Sequence, residues 1–106
     1  MRFALVIALL GCQSSDVSRS LGARCDSNAD CDQKCLASGN FPGGFCTIAC
    51  DNDNGCPVDA LCSTESGGVC LFKCALDRDC EFLGAGYTCQ MVDANVGGGK
   101  VLACRG

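Results

Sequence analysis

The chain carries one unbroken apolar run and nothing like it afterwards. Phe3 to Leu10, FALVIALL, is eight apolar residues in a row. Beyond it no window holds the 3.6-residue period of an amphipathic helix. The later pattern is strand-like instead. YTCQMV and KVLACR, residues 87–92 and 100–105, carry Tyr87, Val92 and Val101 on either side of a glycine-rich turn region from Asp93 to Gly99. Strand formers around such a turn predict a β-hairpin. GNFPGGF and STESGGV mark two earlier turns of the same kind. The expected fold is small and disulfide-rich: three tandem modules, loop-rich with short β-hairpins, and little or no helix after the apolar run.

Apolar content alone would not hold such a chain. After Cys12, only 20 of 94 residues are Val, Ile, Leu, Met, Phe or Tyr, close to the floor at which chains stay unfolded. Thirteen cysteines in 106 residues change that picture. This density reads as a disulfide scaffold in an oxidising compartment, since the cytosol keeps thiols reduced. Each bridge closing a loop of about 10 to 15 residues is worth about 3 kcal/mol, although nested loops do not add fully.

Twelve of the thirteen fall into a register: Cys25, Cys31, Cys35, Cys46; Cys50, Cys56, Cys62, Cys70; Cys74, Cys80, Cys89, Cys104. Every unit opens with a C-x5-C loop, CDSNADC, CDNDNGC or CALDRDC, and C-x3-C links, CTIAC and CLFKC, join one unit to the next. First cysteines recur at intervals of 25 and 24 residues, the signature of a repeat. The expected modules are 25–46, 50–70 and 74–104. Spacing alone permits three pairings per unit. First-to-third and second-to-fourth is preferred, because two crossing bridges then pin each hairpin. That pairing gives Cys25–Cys35, Cys31–Cys46, Cys50–Cys62, Cys56–Cys70, Cys74–Cys89 and Cys80–Cys104.

Cys12 stands outside this register, just past the apolar run. As a helix the run spans about 12 Å against the roughly 30 Å of a bilayer core, so it cannot cross a membrane. A basic residue, Arg2, then an apolar stretch, then a small residue, Gly11, are the parts of a secretory signal. Leu9-Leu10-Gly11-Cys12 resembles the lipobox of bacterial lipoproteins. The resemblance implies cleavage after residue 11, a covalent lipid on Cys12 and a polar tether over 12–24. Gln13, where Asp would imply inner-membrane retention, points to the outer membrane. The competing readings are a buried strand or helix with Cys12 in a disulfide, and an ordinary secretory signal cut near Gly11. The repeats, with NADC, DRDC and GYTC, resemble dickkopf N-terminal and EGF-like modules and the tandem repeats of myxobacterial-type surface lipoproteins.

Candidate chemistry is sparse. The net charge is −4, and loss of residues 1–11 takes Arg2 with it, leaving seven basic against twelve acidic residues and −5. Nucleic acid is thereby a poor partner, because Lys and Arg supply most of such affinity. The chain has no histidine and no C-x2-C, which removes the usual zinc, Ser-His-Asp, Cys-His and redox constellations. Asp77 and Asp79 are a possible carboxylate pair with no sign of a cleft. DNDNG, Asp51 to Gly55, does not fit an EF-hand, whose glycine falls at position 6 and whose Glu falls at 12. It leaves Asp51 and Asp53 as a weak calcium candidate beside the plainer reading of Asp and Asn as turn formers. Phe41 either fills space between bridges or stands on an exposed hairpin tip as a partner contact. No metal and no cofactor beyond the lipid are expected, and no enzyme. The function expected is that of a surface-exposed, non-catalytic lipoprotein, a structural or protein-binding unit of the cell envelope anchored to the membrane through its lipid. The alternative is a secreted knottin-like inhibitor or toxin-like protein.

Overall fold

The computed structural model describes residues 17–95 and 99–106. It is a small disulfide-rich fold of three repeated units, each a 3-10 turn followed by an antiparallel hairpin. The hairpins are β1 (Lys34–Leu36) with β2 (Phe45–Thr47), β3 (Ala60–Ser63) with β4 (Val69–Phe72), and β5 (Thr88–Asp93) with β6 (Lys100–Arg105). The turns span Asn28–Asp30 and Asp53–Gly55 inside their C-x5-C loops, and Asp77–Leu83, which starts inside the third loop and runs on past Cys80.

In all three hairpins the third and fourth cysteines are direct cross-strand neighbours: Cys35 faces Cys46, Cys62 faces Cys70 and Cys89 faces Cys104. Neither bonds to the other. The third cysteine of each unit is bridged to the first and the fourth to the second, giving six disulfides with Cα–Cα distances of 5.3 to 6.0 Å, within the normal span for a bridge. Each C-x5-C loop is therefore clamped flat against its own hairpin.

The turn of the first hairpin needs glycine for a specific reason. Gly44 has φ of +83°, and a Cβ there would sit on the carbonyl oxygen of Cys25. Only a residue without a side chain lets the hairpin close against the start of its own module.

The units pack into one body. Single β-bridges join Ala49 to Val69, Ser63 to Ala94 and Lys73 to Ala103. The buried Thr47 hydroxyl donates to the carbonyl of Cys70 at 2.7 Å, so the polar atom a strand hides at this junction is satisfied. Phe45 is fully buried at the centre. Around it stand Phe41 of the same module (5.6 Å, stacked), Phe72 of the second (6.3 Å, edge-on) and Tyr87 of the third (6.3 Å). Phe82 then meets Phe72 edge-on at 5.1 Å. The rings thus fill the joins between modules as well as the spaces between bridges.

The polar stretch expected as a tether is not free along its whole length. From Ser18 to Arg24 it is docked. Leu21 is only 2% exposed, Ser18 Oγ accepts from the Leu21 N–H, and Gly22 and Ala23 exchange hydrogen bonds with Cys46. One leucine among polar neighbours has no period to betray it, yet its burial draws the segment onto the core.

Phe45→Ala should remove the shared centre of three modules and cost about 3–5 kcal/mol. Denaturant unfolding with the disulfides intact measures this; a loss below about 1 kcal/mol would mean that the bridges alone hold the modules together.

Candidate functional site

One polar device recurs in every unit, and it lies at the C-x5-C loop. The residue three positions after the first cysteine is Asn28, Asp53 or Asp77. Its side-chain oxygen accepts the backbone N–H of the third cysteine: Cys35 at 2.8 Å, Cys62 at 2.8 Å and Cys89 at 3.0 Å. That cysteine is the one bridged to the first, so a disulfide and a hydrogen bond fasten the same loop to the same strand. The first and third units add a second lock. Asp30 Oδ2 accepts from the N–H groups of Asp26 and Ser27, and Asp79 Oδ2 from those of Ala75 and Leu76. In the second unit Gly55 occupies that position, and Asn52 Oδ1 accepts from Asn54 instead.

This device accounts for acids that the sequence leaves open to other chemistry. Asp77 and Asp79 are each engaged by backbone N–H groups of their own module. The Asp53 carboxylate is likewise taken by Cys62, while the Asp51 carbonyl accepts from the Asn95 amide at 2.9 Å. Asp30, Asp79 and Asn52 act as turn formers through local hydrogen bonds, as their residue types favour, whereas Asn28, Asp53 and Asp77 reach across to the strand that carries the third cysteine. The offset of three residues in all three repeats was the signal that would have found them.

The sulfurs of Cys25, Cys31 and Cys46 lie within 4.8 Å of one another, as do those of Cys50, Cys56 and Cys70, and of Cys74, Cys80 and Cys104. Each of these nine sulfurs is held in a disulfide. The clusters reflect two bridges packed side by side, and a metal would need thiolates that the bridges have consumed.

For Phe41 the structure decides between the two readings in favour of filling space. The residue is only 2% exposed and stacks on Phe45, so it is not a partner contact on an exposed tip. The glycines of GNFPGGF fold the turn back over the core, carrying Phe41 inward. Cys12 lies outside the described residues, as do the apolar run and Gln13.

Three further features escape a reading of the sequence. An open cleft of about 380 Å³ runs between the second and third modules, lined by Leu61, Val101 and Leu102 with Asp53 and Lys73 as its charged residues. Beside the central rings, burial pushes the Tyr87 hydroxyl up to about 12 against a smaller opposing pull from Arg24. The hydroxyl has no hydrogen-bond partner among the described residues. An ion pair at 3.3 Å between Arg105 and Glu65, partly buried on both sides, ties the third module to the second.

Comparison with family models, with curated proteins and with solved structures found no match to the chain. The six bridges agree with an oxidising, extracytoplasmic setting. Among the described residues no helix is long and apolar enough to cross a membrane.

The backbone N–H groups of Asp26 and Ser27, in that order of effect, hold the Asp30 carboxyl below its ordinary value of 3.8, and those of Ala75 and Leu76 do the same for Asp79. A depressed carboxylate contributes stability above its unfolded pKa and loses it as pH falls through the folded one. Wild type should therefore melt higher than an Asp30→Asn, Asp79→Asn double variant at neutral pH, with the gap closing below about pH 4. Thermal melts at a series of pH values measure it, and a gap that stays constant into acid would contradict the role given to the two charges.

Proposed function

We propose that this chain is a bacterial lipoprotein, held through a lipid on Cys12 and exposed at the envelope surface. There it serves as a non-catalytic structural or protein-binding unit. The observation that carries the reading is the cysteine arithmetic. Twelve of the thirteen cysteines are consumed in six bridges inside three modules, which leaves Cys12 without a partner in its own chain. An unpaired thiol in an oxidising compartment is a liability unless something else takes it, and Cys12 follows an apolar run and Gly11, as a lipidated cysteine does.

The physics of anchoring supports the same reading. Two acyl chains, at about 0.8 kcal/mol per buried CH₂, retain a protein that no described helix could. Gln13 in place of Asp favours the outer membrane. A rigid, crosslinked body with an open, mostly apolar cleft between two modules suits a protein-binding unit, and the cleft is the surface we assign to that contact.

Metabolic labelling with palmitate tests the anchor. Wild type should take up label and fractionate with membranes, whereas Cys12→Ser should carry none and be released. Absence of label from wild type, or label persisting in Cys12→Ser, would overturn the reading and favour a diffusible secreted protein.

A further inference from the structure

The face nearest the anchor is itself built for contact. Val17 follows Cys12 by five residues, a stretch that spans at most about 18 Å of extended chain. Whichever face carries Val17 is therefore held close to the lipid.

That face displays apolar groups and a cation together. Val17 is 37% exposed and Phe82 45%. Between them, a Cβ on Gly22 would lie 2.8 Å from the Phe72 ring and 3.3 Å from Val17 Cγ2. Phe72 in turn is in edge contact with Phe82. Val17 and Phe82 are thus the two outer members of one apolar strip whose middle is buried. Two residues after Phe82 comes Gly84, and there the Arg24 guanidinium is seated. A Cβ on Gly84 or on Gly43 would run into that guanidinium, and both glycines have positive φ, at +113° and +77°. Two bare glycine backbones, one from the first module and one from the third, hold the group in place.

Arg24 makes no hydrogen bond or ion pair among the described residues, although carboxylates outnumber cations in this chain. Arg19 reaches Asp32, Arg105 reaches Glu65 and Lys100 reaches Asp93. Lys34 and Arg78 share with Arg24 the lack of an ion pair among the described residues, and what sets Arg24 apart is its seat between two glycine backbones. A fixed guanidinium with open donors matches phosphate oxygens. Exposed apolar side chains beside it suit the boundary between headgroups and acyl chains.

We propose that this face, formed by Val17, Phe82 and Arg24, rests on the bilayer. Arg24 lies against lipid phosphodiesters, with Val17 and Phe82 at the headgroup boundary. The proposal depends on the lipidation of Cys12 put forward above. The excess of acids gives the chain no long-range attraction to an anionic surface, so the lipid supplies the affinity and this face sets the orientation. The contact acts within a Debye length of about 8 Å.

The chain contains no tryptophan, so a single one reports cleanly. Phe82→Trp, and Val17→Trp as a second probe, are made in the full lipidated chain and reconstituted into phosphatidylethanolamine and phosphatidylglycerol vesicles, with plain or acyl-brominated lipids. Val58→Trp, at a position 93% exposed in the second module, is the comparison. Both face probes should lose most of their emission in brominated vesicles while Val58→Trp keeps its own, and adding Arg24→Gln should weaken the quenching. Palmitate-labelled protein whose face probes are not quenched would overturn the proposal and leave the face to a protein partner. Quenching unchanged by Arg24→Gln would overturn the phosphate contact. Wild type without label would overturn the anchor itself, a result distinct from labelled protein with unquenched probes.

Discussion

The whole structure depends on a cross-linking choice made three times. The third and fourth cysteines of each module stand directly opposite each other across a hairpin, as cross-strand neighbours. Each bonds instead to the C-x5-C loop. A bridge across a hairpin would staple two strands that already pair. Bridges from the loop to both strands restrain a longer stretch of unfolded chain, and chain entropy rewards that more. The Asn or Asp three residues into the loop adds a hydrogen bond at the same place, so the loop is held covalently at its ends and by a polar contact in its middle.

Bridges confined to single modules would yield beads on a string. What joins these modules is a small aromatic centre. Phe45 is surrounded by rings from all three units, and the linking residues pair with the neighbouring hairpin rather than running free. With so few large apolar residues, placing nearly all the aromatic ones at the joins gives the most cohesion per residue, because aromatic side chains bury the most area. The disulfides fix each unit, and the rings decide how the units sit together.

Much of this was legible in the residues. Equal cysteine spacing marked the three units, and glycines between strand formers marked the hairpins. The small, loop-rich, disulfide-bound fold with short hairpins followed from those two signals. The missing parts share a cause. The burial of Leu21, and the choice between the two readings of Phe41, depend on where a turn directs a side chain, and no local period records that. Arg24 has its place only because Gly43 and Gly84, forty-one residues apart in sequence, come together around it. The polar device at the loops was visible as a repeated offset, and the plainer reading of DNDNG as a turn already pointed to it, but residue type alone does not say that Asn28, Asp53 and Asp77 reach the N–H of the third cysteine.

The fold accounts for twelve cysteines by structure, and the thirteenth, Cys12, is the one we propose carries the lipid. Peptide mapping of the mature protein by mass spectrometry under non-reducing conditions tests that division most directly. The account predicts six bridged pairs, first-to-third and second-to-fourth within each module, and an N-terminal peptide in which Cys12 carries a lipid and no bridge. A bridge between modules, or Cys12 found in a disulfide, would contradict it.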